Sequence, residues 1–166
     1  MNNHQSVCKG KEAHEPAKSL LSNTSNSLSF NKAALPISNA LLKRLADVLN
    51  QHTEVVSDNY IVINFRDKGY SAENGGYHPV EISLSKDANN RYTILYITDF
   101  SYCGGAYPEL DRDIDFDIGN SVVFSRYAGW QSIRLPTMTE LYELWEGNFL
   151  SYMSMDAYDQ IQVECS

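Results

Sequence analysis

The stretch "YPELDRDIDFDIGN", Tyr107 to Asn120, decides how the fold is read. Carboxylates stand at Glu109, Asp111, Asp113, Asp115 and Asp117, and Leu110, Arg112, Ile114, Phe116 and Ile118 lie between or beside them. Alternation at every second residue is the period of a β-strand, whose successive side chains point to opposite faces. It predicts a strand with Leu110, Ile114, Phe116 and Ile118 toward a core and Arg112 near one edge. The five acids then share one wet face at a spacing of about 6.7 Å. A strand with one wet face belongs to an antiparallel sheet.

Other strands follow on both sides. "NYIVINF" (59–65) and "VEISL" (80–84) have strand composition, and "RYTILYITDF" (91–100) is apolar on both faces, as a central strand is. Asn89-Asn90 suits a tight turn between the last two. "NSVVFSRY" (120–127) reads as one more strand and "YDQIQVE" (158–164) as a short edge strand. Two glycine-containing loops, "RDKGYSAENGGYHP" (66–79) and "SYCGGAYP" (101–108), interrupt the series.

A helix is expected in "LPISNALLKRLADVLNQH" (35–52), capped by Ser38, with Ile37 stapled onto Leu42 and a stripe of Leu41, Leu42, Leu45, Val48 and Leu49. His52 continues that stripe as a packed end residue. A second helix, "TMTELYELWEGNFLSYM" (137–153), is expected to start at Thr137 with Glu140 closing a capping box. Leu141, Leu144, Trp145, Asn148, Phe149 and Tyr152 share one of its faces, which reads as core. The order of elements gives an α+β domain: a mainly antiparallel sheet of about five strands flanked by an N-terminal and a C-terminal helix.

The chain of 166 residues suits one domain, with 43% hydrophobic residues and 11 tyrosines. Residues 1–34, rich in Ser and Asn, read as a flexible tail, and 35–166 as the domain. The tail holds four Lys and two Glu, so the whole-chain charge of −8 becomes −10 on the domain. Such a balance excludes direct nucleic-acid binding, which rests on Lys and Arg, and suits a partner with a basic surface. Cys8, Cys103 and Cys165 form no paired or zinc-finger spacing, so reduced thiols in a cytoplasm are expected. The N-terminal residues lack the apolar core of a signal peptide. No apolar run approaches the roughly 20 residues of a membrane helix, so no membrane partner is expected.

"NFRDKGYSAENGGYHPVEI" and "YITDFSYCGGAYPELDRDIDFD" together resemble a family of small uncharacterised proteins from marine and enteric bacteria, a domain of unknown function numbered 2787. The resemblance covers about residues 35–160 and leaves out the tail. It implies a cytoplasmic bacterial protein and brings no reaction, cofactor or catalytic residue.

The residues themselves offer several chemistries. The row Glu109 to Asp117 serves as a solvated face, as a docking surface for a basic protein, or as a cation site. A straight strand points its acids in parallel, whereas calcium needs them to converge. A mimic of DNA needs a second acidic row, and none is visible. His78 and Glu81, three apart on a strand, diverge. No metal set and no cofactor are expected. Cys103, beside two glycines, is a possible nucleophile with His78 as base and Asp99 as its partner. "NGG" (74–76) lacks the ending of a phosphate loop. Tyr70, Tyr77, Tyr102 and Tyr107 lie in or beside the two loops, with Arg66 near them, and make an aromatic anchoring patch if the loops meet.

The reading that follows is a non-catalytic acidic binding module. It docks a basic macromolecular partner through the acidic strand (Glu109, Asp111, Asp113, Asp115, Asp117) and the tyrosine loops. The alternatives are a cysteine-dependent enzyme using Cys103 and His78, or a small-ligand-binding domain. Oligomeric state is left open.

Overall fold

The computed structural model describes residues 28–52 and 59–165. Its elements run β1 (Ser29–Phe30), α1 (Asn39–Gln51), β2 (Tyr60–Arg66), β3 (Val80–Lys86), β4 (Arg91–Cys103), β5 (Glu109–Asp117), β6 (Val122–Ser125), β7 (Gly129–Ser132), α2 (Pro136–Ser154) and β8 (Gln160–Cys165). This is an α+β fold. Its sheet has eight strands rather than about five, in the order β7-β6-β5-β4-β3-β2-β8, with β1 added to the start of β4. All pairings are antiparallel except β1 with β4. The extra strands are short. β1 has two residues and β7 four, too few to print a period on the sequence.

The boundary of the expected tail moves. Residues 1–27 lie outside the described part, but Ser29 and Phe30 pair with Arg91 and Tyr92 and occupy the end of β4 that β5 leaves bare. Arg91 fastens them, its Nε donating to Asn31 Oδ1 at 2.7 Å and its Nη2 to the Phe30 carbonyl at 2.7 Å.

One face of the sheet carries the core. Cross-strand partners share a face. The register therefore aligns Ile61 with Leu84, Ile63 with Ile82, Ile82 with Ile97, Ile97 with Phe116 and Phe116 with Val123. Leu41, Leu45, Val48 and Leu49 of α1 join this cluster with Met138, Tyr142, Trp145 and Phe149 of α2. Ser38 caps α1 as its sequence predicts, its Oγ accepting from Leu41 N at 3.1 Å. The start of α2 differs from expectation. Leu135 is the N-cap, with no side-chain cap bond, and Pro136 opens the helix, where its fixed φ and missing N–H cost nothing. Among the described residues no helix is long and apolar enough to cross a membrane.

The acidic strand departs most from its reading. Asp99 of β4 faces Ile114, but the next residue, Phe100, faces Arg112, so Asp113 has no opposite number. It is a β-bulge, and one extra residue reverses the parity of everything beyond it. Asp115 and Asp117 share the face turned away from the helices with Arg112 and Leu110, while Glu109 and Asp111 share the helix side with Ile114 and Phe116. The expected file of five carboxylates therefore does not exist. Leu110 faces away from the core and is exposed. Asp115 is not wet either: 6% exposed, it takes the Thr98 hydroxyl at 3.1 Å and the Arg112 guanidinium at 2.9 Å.

Candidate functional site

The bulge aims Asp113 into a cleft. The loop between β2 and β3 closes one side of it, β4 and β5 form the floor, and α2 forms the far wall. Its volume is about 360 Å³, and it is lined by Tyr77, His78, Asp99, Asp113 and Ile114 opposite Leu141, Leu144, Trp145, Asn148, Phe149 and Tyr152.

Local chemistry shapes the loop. The Asp67 carboxylate accepts Gly69 N at 2.8 Å and Tyr77 N at 3.0 Å, folding the segment back on itself. Gly76, at φ +127°, lies under that contact. A Cβ there would sit 2.7 Å from Asp67 Oδ2 and 3.0 Å from Tyr70 Cα, so only glycine fits. The result brings Tyr77 against Tyr152 of α2, ring centroids 4.8 Å apart. Tyr70 lies against both His78 and Tyr102, each at 5.3 Å, and its hydroxyl accepts Tyr102 N at 3.1 Å. The two glycine-containing loops thus meet at one end of the sheet. Tyr70, Tyr77 and Tyr102 gather there, whereas Tyr107 stands free at 89% exposure. Arg66 does not join them: it ends β2 exposed, paired in register with Gln160.

His78 is the polar centre. Its Nδ1–H donates to Asp99 Oδ1 at 2.7 Å, and Trp145 Nε1 donates to Asp99 Oδ2 at 3.1 Å. That hydrogen bond holds the imidazole pKa above its ordinary value, against the opposing effect of burial. Asp113 is held by Arg126, whose Nε reaches Asp113 Oδ1 at 3.0 Å while Nη2 reaches the Arg112 carbonyl at 2.9 Å.

Sequence reasoning paired Cys103 with His78. The structure brings His78 to Asp99 but gives Cys103 another neighbour, its Sγ lying 3.9 Å from Asp111 Oδ2. Cys103 is four residues beyond Asp99 on β4, about 13 Å at the rise of a strand. The thiol–imidazole contact of the enzyme alternative is therefore not assembled. Glu81, weighed as a partner for His78, accepts the Tyr96 hydroxyl at 2.7 Å on the other face.

Three participants were not legible in the sequence. Trp145 was read only as core, and it donates to Asp99. Arg126 was not singled out within the stretch read as a strand, and it orients Asp113. Asp113 itself was placed among the wet acids. No local signal marks the bulge that turned it.

The comparisons with known proteins agree with one another. Residues 39–164 match the model of a family described as "Protein of unknown function (DUF2787)". No curated protein matches the chain. A hypothetical protein from the VSP-II pathogenicity island of Vibrio cholerae has a solved structure that is 43% identical, with a TM-score of 0.75. The match covers 82% of this chain and 100% of that one. A conserved hypothetical protein from pathogenicity island VPI-2 of Vibrio cholerae O1 biovar eltor is also 43% identical, with a TM-score of 0.74, over 81% of this chain and 99% of that one. It is described as sharing structural homology with the human P32 protein.

Proposed function

The chain belongs to the DUF2787 family of proteins of unknown function, and from that premise we propose a non-catalytic binding module that docks a basic protein partner at the tyrosine-lined cleft. The observation that carries this reading is the form of the cleft. Its α2 wall carries Leu141, Leu144, Trp145, Phe149 and Tyr152 side by side, with Leu144 66% exposed, a contiguous apolar and aromatic surface. A volume of about 360 Å³ accommodates one bulky side chain of a docked segment. Tyr77 and Tyr152 supply rigid contact area with little entropy to lose.

Charge supplies the second part of the mechanism. Glu109 and Asp111 lie on the helix side beyond the bulge, on the same face as the cleft, and the chain carries −8 overall. Such a field speeds encounter with basic partners and weakens with salt. Asp115 and Asp117, on the other face, contribute only to the long-range field. A cytoplasmic setting with reduced thiols belongs to the same proposal.

A peptide array tests it. Peptides with one Leu, Phe or Trp flanked by Lys or Arg should be retained by the wild type, less so as salt rises. Leu144→Asp, at an exposed position, should lose them without a change in melting temperature, and Tyr152→Ala should lose them with a modest fall in it, since its ring packs on Tyr77. Retention by both variants equal to wild type, or no retention of any such peptide, defeats the reading.

A further inference from the structure

We propose that His78, Asp99 and Asp113 form a binding site for a divalent transition metal, zinc in the first instance, at the floor of the cleft. One donor atom from each of the three lies within 4.8 Å of the others. That is close to the spread of donors around one ion, since metal–nitrogen and metal–oxygen bonds of about 2.0–2.2 Å put ligands on opposite sides of the ion about 4 Å apart. The three residues come from three elements: the segment before β3, the middle of β4 and the bulge of β5. Nothing local in the sequence groups them, and a bulge is a common device for aiming a side chain into a site.

The donor set is mixed, and its composition selects the ion. One imidazole nitrogen with two carboxylates suits zinc or manganese better than calcium, which takes oxygen alone. Two carboxylates balance the charge of the ion. Three protein ligands leave a coordination position open, and it faces the cleft.

The ligands also have the supporting partners that metal sites use. Trp145 Nε1 holds Asp99, and Arg126 Nε holds Asp113 through Oδ1, the only Asp113 carboxylate oxygen with a hydrogen-bond partner among the described residues. Arg126 Nη2 also donates to the carbonyls of Asp111 and Arg112, which fixes the guanidinium beside Asp113. In the present geometry a proton on His78 Nδ1 bridges to Asp99. The ion takes the place of that proton, which leaves to solvent.

The inference does not rest on peptide docking, and its test uses the metal alone. The full chain, stripped with a chelator, is titrated with zinc chloride and with manganese chloride and followed calorimetrically. One ion per chain is expected. His78→Ala and Asp113→Asn should each weaken binding at least about a hundredfold, because loss of an outer partner alone costs about 10–100-fold. Trp145→Phe, which removes such a partner, should weaken it about tenfold. Cys103→Ser and His52→Ala should bind as wild type does. X-ray absorption of the zinc-loaded protein should show nitrogen and oxygen neighbours only. Melting curves without metal confirm that each variant is folded, and the two ligand variants decide independently. Sulfur in the coordination shell, unchanged affinity in either His78→Ala or Asp113→Asn, or no binding of either ion at millimolar concentration overturns the proposal.

Discussion

Glu146 predicts how firmly α2 is locked over the sheet. It sits inside the domain at 6% exposure, one residue from Trp145. Its carboxylate accepts the Tyr142 hydroxyl within α2 and the Ser38 N–H at 3.1 Å, which begins α1. A single side chain thus joins the two helices and fixes the rotation of α2 that aims Trp145 at Asp99. Glu146→Ala removes two hydrogen bonds to a charged acceptor, each contributing about 1.5–3 kcal/mol. Ser38 is partly open to water and recovers some of its share, so a loss of about 3 kcal/mol is expected. For a domain of this size that corresponds to a fall in melting temperature of about 6–12 °C. Glu146→Gln keeps one acceptor oxygen in place and should cost about 1 kcal/mol. Urea unfolding at pH 7, followed by circular dichroism, measures both. In a Trp130→Phe background the remaining Trp145 fluorescence should shift in the Ala variant as its contact with Asp99 loosens. A loss under about 1 kcal/mol for Ala, or equal losses for Ala and Gln, refutes the claim that this carboxylate locks the helices.

Three further outcomes are expected. The Tyr92 hydroxyl is buried with no hydrogen-bond partner, so Tyr92→Phe should stabilise the protein by about 1 kcal/mol in thermal or urea unfolding. Burial holds the Asp115 pKa above its ordinary 3.8, so the folded state binds that proton more tightly than the unfolded state does. Stability arising from this group is therefore greatest at low pH and lost as pH rises from about 3.8 through the raised value. The melting temperature of Asp115→Asn, relative to wild type, should accordingly climb over that window, and a flat difference would disprove the assignment. His78 follows the same sign from a different cause, the hydrogen bond to Asp99. Its raised pKa gives stability that is full below 6.5 and lost as pH rises through the folded value, and His78→Ala should flatten that part of a metal-free pH–stability curve.

Much of the fold was legible because its elements are long enough to show a period. The stripe of α1 and its Ser38 cap came through, as did the strands read at 59–65, 80–84 and 91–100, which run 60–66, 80–86 and 91–103, and the terminal strand, which lies beside β2. β1 and β7 did not, since two and four residues carry no alternation. The start of α2 was misplaced because a Thr and Glu at capping-box spacing competed with a proline at the first helical position, and the proline prevailed. The site was half legible. His78 and Asp99 were paired in the sequence reading, and the meeting of the tyrosine loops was its stated condition. The partner named for His78, Cys103, was the wrong one.

The sequence by itself determined what local physics decides: strand and helix periods, the capped start of α1, the acidic balance and the family. Only the tertiary structure decided which face each acid occupies. Alternation assigns faces only while register is continuous, and the bulge at Asp113 arises where β4 and β5 pair, not within either strand. That one unpaired residue separates Asp115 and Asp117 from Glu109 and Asp111 and delivers Asp113 to His78 and Asp99. A row of charges in the sequence became a cleft because pairing between strands, which no single segment encodes, set the parity.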